Sequence, residues 1–194
     1  MTRRALTLAT ANPDKVVELQ QLLGADWDIS PRPADLADTV EDGDTLEANA
    51  TKKGREVARH TGTLSVADDT GLFVDALGGR PGVWTARYAG PEATSADNVA
   101  KLLLELQGVT GDGRSAHFRT VIAAVWPDGT ALTVDGRVDG VITERARGEA
   151  GFGYDPVFAP AEGDGRTFAE MSAQEKNEIS HRGRAIQALQ AELR

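Results

Sequence analysis

The 194-residue chain contains no cysteine. That excludes disulfides, thiolate nucleophiles and zinc–sulfur centres together. No apolar run approaches the roughly 20 residues that span a bilayer. After the basic start Met1-Thr2-Arg3-Arg4, the stretch Ala5–Ala11 is too short and too threonine-rich for the core of a secretion signal. A soluble cytoplasmic protein without a membrane partner is expected. A basic stripe is also missing, and the formal net charge is −9. Both facts argue against binding a nucleic acid polymer through its phosphates. A divalent cation could still bring an anionic substrate to an acidic protein. The chain holds no G-x-x-x-x-G-K-[ST] phosphate loop and no G-x-S-x-G nucleophile elbow. Internal repeats, low-complexity tracts and dividing linkers are absent too, so one domain over residues 1–194 is expected.

What is present is a real core and many turns: 40% hydrophobic residues and 21 glycines. Ala5–Thr10 reads as a strand, Asn12-Pro13-Asp14 as a turn, and Lys15–Leu23 as a helix with Val16, Leu19, Leu22 and Leu23 at helical spacing. Asp44 or Thr45 can cap a helix running to about His60, stopped by Gly62. Leu64–Ala67 reads as a strand that ends at Asp68-Asp69, with Leu72–Val74 a separate extended piece. A helix over Ser95–Leu106 follows. Ala116–Trp126 and Ala131–Ile142 then form a hairpin about Pro127-Asp128-Gly129. Ser172 with Glu175 is a capping-box pattern, and the last helix runs toward Leu193 with a break near His181–Gly183. Alternating strands and helices plus one long hairpin predict an α/β fold with a mixed sheet.

Five segments carry chemistry. Thr10-Ala11-Asn12-Pro13-Asp14-Lys15 joins a strand to a helix. Unpaired backbone N–H groups there, with Thr10, Asn12 and Lys15, would suit a phosphate; an ordinary capped helix is the plainer reading. Asp68-Asp69-Thr70-Gly71 sets two carboxylates at a strand end, where they repel unless a cation or donor intervenes. Magnesium, which takes oxygen ligands and keeps waters, fits that need. Glu41, Asp42, Asp44 and Glu47 add upstream acids, followed by Asn49, Lys52 and Lys53; most of these read as a solvated charge run. Gly151-Phe152-Gly153-Tyr154-Asp155-Pro156 would let backbone approach a flat ligand, with Phe152 stacking and Asp155 accepting from a ring N–H or sugar hydroxyl; a glycine-rich turn with a core phenylalanine is the alternative. Lys176 through Gly183, with Ser180-His181-Arg182, adds a cluster of donors.

Taken together these segments resemble the inosine/xanthosine triphosphate pyrophosphatase family. The matching blocks are Thr10–Lys15, Glu41–Lys53, Ala67–Gly71 with Val74–Gly79, Pro81-Gly82 through Ala86-Arg87-Tyr88, Gly151–Pro156 and Glu175–Gly183, in the family's order. The resemblance implies an elongated two-lobed fold, with a long central mixed sheet flanked by helices and a cleft between lobes. It also implies a homodimer and cleavage of deaminated purine triphosphates (ITP, dITP, XTP) to monophosphate and pyrophosphate. Asp69 becomes general base and magnesium ligand, and Glu41 the other acidic ligand, with Asp68 near enough to assist. Thr10, Ala11, Asn12, Pro13, Asp14 and Lys15 become the triphosphate loop, with Lys53 a further phosphate contact and Thr70 a substrate contact. Phe152, Gly153, Tyr154, Asp155, Lys176, His181 and Arg182 become the base pocket. Two positions depart from the family pattern: Ala11 replaces a glycine, and Ala48-Asn49-Ala50 stands where E-N-A is common, with an acid one place earlier at Glu47. A Maf-like pyrophosphatase with another base preference, a non-catalytic nucleotide sensor and a generic metal phosphatase are the rival readings.

Overall fold

A computed structural model describes residues 4–194. The basic start at Met1–Arg3 lies outside the described residues. Strands and helices alternate in the order β1 (Arg4–Leu8), α1 (Pro13–Leu23), β2 (Trp27–Ser30), α2 (Leu46–Thr61), β3 (Leu64–Val74), β4 (Pro81–Gly82), α3 (Ser95–Glu105), β5 (Ser115–Val125), β6 (Ala131–Ile142), β7 (Phe158–Pro160), α4 (Ala173–Ile179) and α5 (His181–Glu192). The strands hydrogen-bond in the order β2-β1-β3-β5-β6-β7, with β4 on β3. β1 is parallel to β2 and to β3, whereas β3–β4 and β6–β7 are antiparallel. The sheet is therefore mixed, as the alternation of elements predicts.

The chain divides into two compact units: Met1–Asp69 with Thr120–Gly136 and Arg182–Arg194, and Thr70–Arg119 with Arg137–His181. In the first unit, Leu6, Leu8, Leu64 and Val66 from the parallel strands pack with Leu19 and Leu23 of α1, and with Ala185, Ile186 and Leu189 of α5. Helix α2 is capped by Thr45, whose hydroxyl accepts from Ala48 N at 3.1 Å, and it ends on Gly62 with φ +66°. Its buried face reads Leu46, Asn49, Ala50, Lys53, Gly54, Val57, Ala58, one continuous helical stripe. Gly54 has a steric reason: a Cβ there would sit 2.6 Å from Val125 Cγ2 of β5. The second unit packs Leu72, Val74, Leu102, Leu106, Phe118, Phe158 and Phe168 into its own core. Arg114 is buried in that unit and donates to the backbone carbonyls of Leu106, Val109, Ile142 and Thr143.

Three expectations are corrected. β3 does not end at the acidic pair, since it runs unbroken from Leu64 through Asp68 and Asp69 to Val74. The piece expected separately at Leu72–Val74 is the same strand. Aspartate and glycine are poor strand formers, but ion pairs to both acids let the ladder continue. Pro13 and Asp14 belong to α1: Asn12 is the cap and Pro13 occupies the first turn, where its missing N–H costs nothing. The expected break near His181–Gly183 is present: Ser180 is extended and α5 begins at His181. Strand β2, four residues between Gly24 and Pro31, is an element the sequence reading does not place.

Candidate active site

Successive side chains on a strand point to opposite faces, and β3 uses this to separate its two acids. Asp68 meets Lys15 Nζ at 3.0 Å and Arg182 Nη2 at 2.9 Å. Arg182 also donates from Nη1 to Glu18 of α1. Burial alone would push the Asp68 carboxyl up, but Lys15, Arg182 and Lys53 outweigh it and hold the group well below the ordinary carboxylate range. Asp68 is thus a fixed anion.

Asp69 has different neighbours. Lys53 Nζ donates to its Oδ1 at 2.9 Å and to Glu41 Oε1 at 2.9 Å, so one ammonium bridges two carboxylates from separate stretches of chain. Asn49 Nδ2 reaches Asp69 Oδ2 at 3.4 Å. Burial pushes the Asp69 carboxyl up, and Glu41 adds to that; Lys53 and Lys15 offset it only in part. Of the two adjacent acids, one is locked ionised and the other is poised upward, the direction a general base requires.

Asn49, read from the sequence as part of a solvated charge run, is instead buried at the site. Its Oδ1 accepts from Gly43 N at 2.9 Å and its Nδ2 donates to Gly43 O at 3.3 Å, tying the acidic segment around Glu41 to α2. A Cβ on Gly43 would lie 2.6 Å from Asn49 Oδ1, so the fit requires glycine there. The signal was available: Asn49 and Lys53 stand four residues apart on an otherwise apolar helix face. Glu18, one turn beyond Lys15, is passed over by sequence reasoning.

The Thr10–Lys15 turn is closed on itself. Asn12 Oδ1 accepts from Asp14 N at 2.9 Å and Lys15 N at 3.3 Å, and Thr10 Oγ1 accepts from Asn12 N at 3.2 Å. The expectation of unpaired N–H groups at this helix start is therefore corrected, because short polar side chains in the turn satisfy them locally. Lys15 leaves the turn and reaches Asp68. Ala11, Pro13 and Asp14 are exposed, and Thr70 is half-buried just after Asp69.

The second unit holds the other group of expected residues. Asp155, buried, accepts from Lys176 Nζ at 2.7 Å and from Phe152 N at 2.9 Å. The Lys176 ammonium also lies 4.9 Å from the Phe152 ring centroid. Gly151 has φ +72°, and a Cβ on it would run into the Asp155 carboxylate, so glycine is needed to admit that acid. Gly153 is likewise left-handed. Tyr154 is buried in the core of this unit and donates to Thr85 O at 3.0 Å. His181 is buried and stacks on Phe118, with ring centroids 4.5 Å apart. Lys176, Asp155 and Phe152 thus form a buried ion pair with an aromatic face beside it, suited to a flat polar ring.

The donor set around Lys53 fits a divalent cation. Glu41 and Asp69 already converge on one cationic nitrogen, which shows that both carboxylates can serve one positive centre. Two carboxylates, completed by water and phosphate oxygens, are a ligand set that a hard divalent cation accepts. Among the described residues no group of three histidine, aspartate or glutamate side chains forms such a cage.

Comparison with known proteins agrees with this chemistry. The model of the Ham1 family matches residues 6–192. The dITP/XTP pyrophosphatase of Desulfotalea psychrophila is 47% identical over 191 residues, covering 96% of this chain and 84% of that protein. The dITP/XTP pyrophosphatase of Bacillus licheniformis is 44% identical over 199 residues, covering 98% of each. Among solved structures, a HAM1 protein from Coxiella burnetii superposes with a TM-score of 0.88 at 39% identity, covering 98% of both chains. A dITP/XTP pyrophosphatase from Mycobacterium abscessus gives 0.76 at 41% identity, over 95% of this chain and 98% of that one.

Proposed function

The chain belongs to the Ham1 family, and from that premise we propose that it hydrolyses dITP, XTP and ITP to the monophosphate and pyrophosphate, clearing deaminated purines from the nucleotide pool. The observation that carries the reading is the convergence of Glu41 and Asp69 on one cationic nitrogen, in the unit that also holds Lys15.

Asp69 is the general base. It orients a water and takes its proton as the oxygen attacks the α-phosphorus in line, and pyrophosphate leaves. Glu41 and Asp69 would hold a magnesium ion, which supplies charge neutralisation on the phosphate oxygens and acidifies water. Lys15 and Lys53 offset the charge that grows on the leaving pyrophosphate. Asp68 fixes Lys15 in place by its ion pair and is not a proton carrier. The Thr10–Lys15 turn receives the triphosphate, exchanging its internal hydrogen bonds for phosphate oxygens. Thr70 contacts substrate beside the base.

Base recognition falls to Phe152, Asp155, Lys176 and His181. Hypoxanthine and xanthine carry a carbonyl at position 6, where adenine carries an amine. Donors fixed to face that carbonyl are left unpaired by adenine, at a cost of about 1–3 kcal/mol for each buried group. Sites built on such hydrogen bonds discriminate by factors of about 10⁴. Support for a homodimer and a cytoplasmic location comes from the family resemblance and from the substrate pool itself.

The test is a panel of dITP, XTP, ITP, GTP, ATP and pyrimidine triphosphates with product identification. The expected result is pyrophosphate released from the deaminated purines, with ATP slower by orders of magnitude. Equal rates across purines, a pyrimidine preference, or orthophosphate as product would each refute the reading.

A further inference from the structure

Lys53 has an unusual position for a phosphate-binding lysine. Its residue is only 7% exposed, its stem lies on the buried face of α2, and its ammonium sits 2.9 Å from both Glu41 and Asp69. These are the two carboxylates proposed to hold the metal, so this inference rests on that reading. Four carboxylates (Glu18, Glu41, Asp68, Asp69) meet three cationic side chains (Lys15, Lys53, Arg182) in two groups of ion pairs, one at Asp68 and one at Asp69. The ammonium of Lys53 offsets the mutual repulsion of Glu41 and Asp69.

We propose that Lys53 is a resident counter-cation that occupies the metal position until nucleotide arrives, so that metal and nucleotide bind as a coupled pair. A divalent ion approaching Glu41 and Asp69 meets a fixed positive charge at hydrogen-bond distance from the same oxygens, and like charges so close oppose entry. The lysine stem is long and rotatable, so the ammonium can swing away when another anion receives it. The triphosphate supplies that anion. Nucleotide binding thereby draws Lys53 off the carboxylates and opens them to the metal, and the coupling is reciprocal by thermodynamic necessity. In this role Lys53 is a positioning residue for the acids before it is a partner of the phosphates.

The test uses the full chain and Mn²⁺ as the probe, with free metal followed by electron paramagnetic resonance. In the absence of nucleotide, Lys53→Met should bind Mn²⁺ at least about tenfold more tightly than wild type, because the competing charge is gone while the apolar stem stays. With a dITP analogue whose α,β-bridging oxygen is replaced by methylene, the gain in Mn²⁺ affinity should be at least about tenfold smaller in Lys53→Met than in wild type. Equal or weaker Mn²⁺ binding by a folded Lys53→Met overturns the proposal. If that variant does not fold, the wild-type crystal with Mn²⁺ and the analogue decides. Lys53 Nζ away from at least one of the two carboxylates supports the proposal, and Nζ still on both beside bound Mn²⁺ refutes it. The metal titration needs no turnover, so its failure is distinct from failure of the pyrophosphatase reading, which the release of pyrophosphate from dITP by wild type judges alone.

Discussion

Asp68 and Asp69 are chemically identical and adjacent, yet their surroundings give them opposite characters. Asp69, pushed up by burial and by Glu41, is the proposed proton acceptor. Asp69→Asn should lower the rate of pyrophosphate release by about 10³-fold or more, within the range general bases contribute, and leave the circular dichroism spectrum unchanged. Retention of near wild-type turnover would remove Asp69 as the base. Asp68 is instead a structural anion between Lys15 and the fully buried Arg182. Asp68→Asn leaves that guanidinium short of a charge partner, and breaking such a pair costs about 3–5 kcal/mol. Its pH signature follows from the sign of the shift. The folded carboxyl lies below its unfolded value, so its stabilisation is complete above about pH 3.9 and is lost as pH falls further. Thermal melts of wild type should drop steeply as the pH is lowered below about 4, and those of Asp68→Asn should start lower and lose less over that window.

At the scale of elements, α2 is both a packing helix and the carrier of the site. Its stripe alternates core residues with Asn49 and Lys53, so whatever shifts the helix shifts Glu41 and Asp69 with it. Gly54 sets how closely the helix approaches β5. On an exposed helix Gly→Ala would stabilise by about 1 kcal/mol; here the new methyl meets Val125 at 2.6 Å. Gly54→Ala should therefore destabilise by about 1–3 kcal/mol in urea unfolding, the usual cost of overpacking, and lower turnover as Lys53 moves. Stabilisation would show that the helix has room to give. This element also shows what is legible in a sequence. Thr45 as cap, the apolar spacing and Gly62 as stop define α2 almost to the residue, because those signals are local. That Lys53 turns inward is not legible, since the stripe pattern alone does not separate a buried lysine from one at the edge of the apolar face. β3 is misread at Asp68 for a related reason: the residue types favour a chain break, and only the distant Lys15, Lys53 and Arg182 make a continuous strand affordable. In the second unit the glycines at 151 and 153 mark the turn, while the Asp155–Lys176 pair, twenty-one positions apart, is fixed by tertiary structure alone.

For the molecule as a whole, a net charge of −9 and an anionic substrate are compatible because the charge around the site is arranged locally rather than averaged. The first unit gathers the acids and lysines proposed to handle phosphate, and the second holds the aromatic face and buried ion pair proposed for base recognition. Among the described residues no helix is long and apolar enough to cross a membrane. The proposed reaction is attack by water at the α-phosphorus. Hydrolysis of dITP in water labelled with oxygen-18, with both products analysed by mass spectrometry, tests it most directly. The account predicts the label in deoxyinosine monophosphate and none in pyrophosphate; label in pyrophosphate, or in orthophosphate released from the tail, would contradict it.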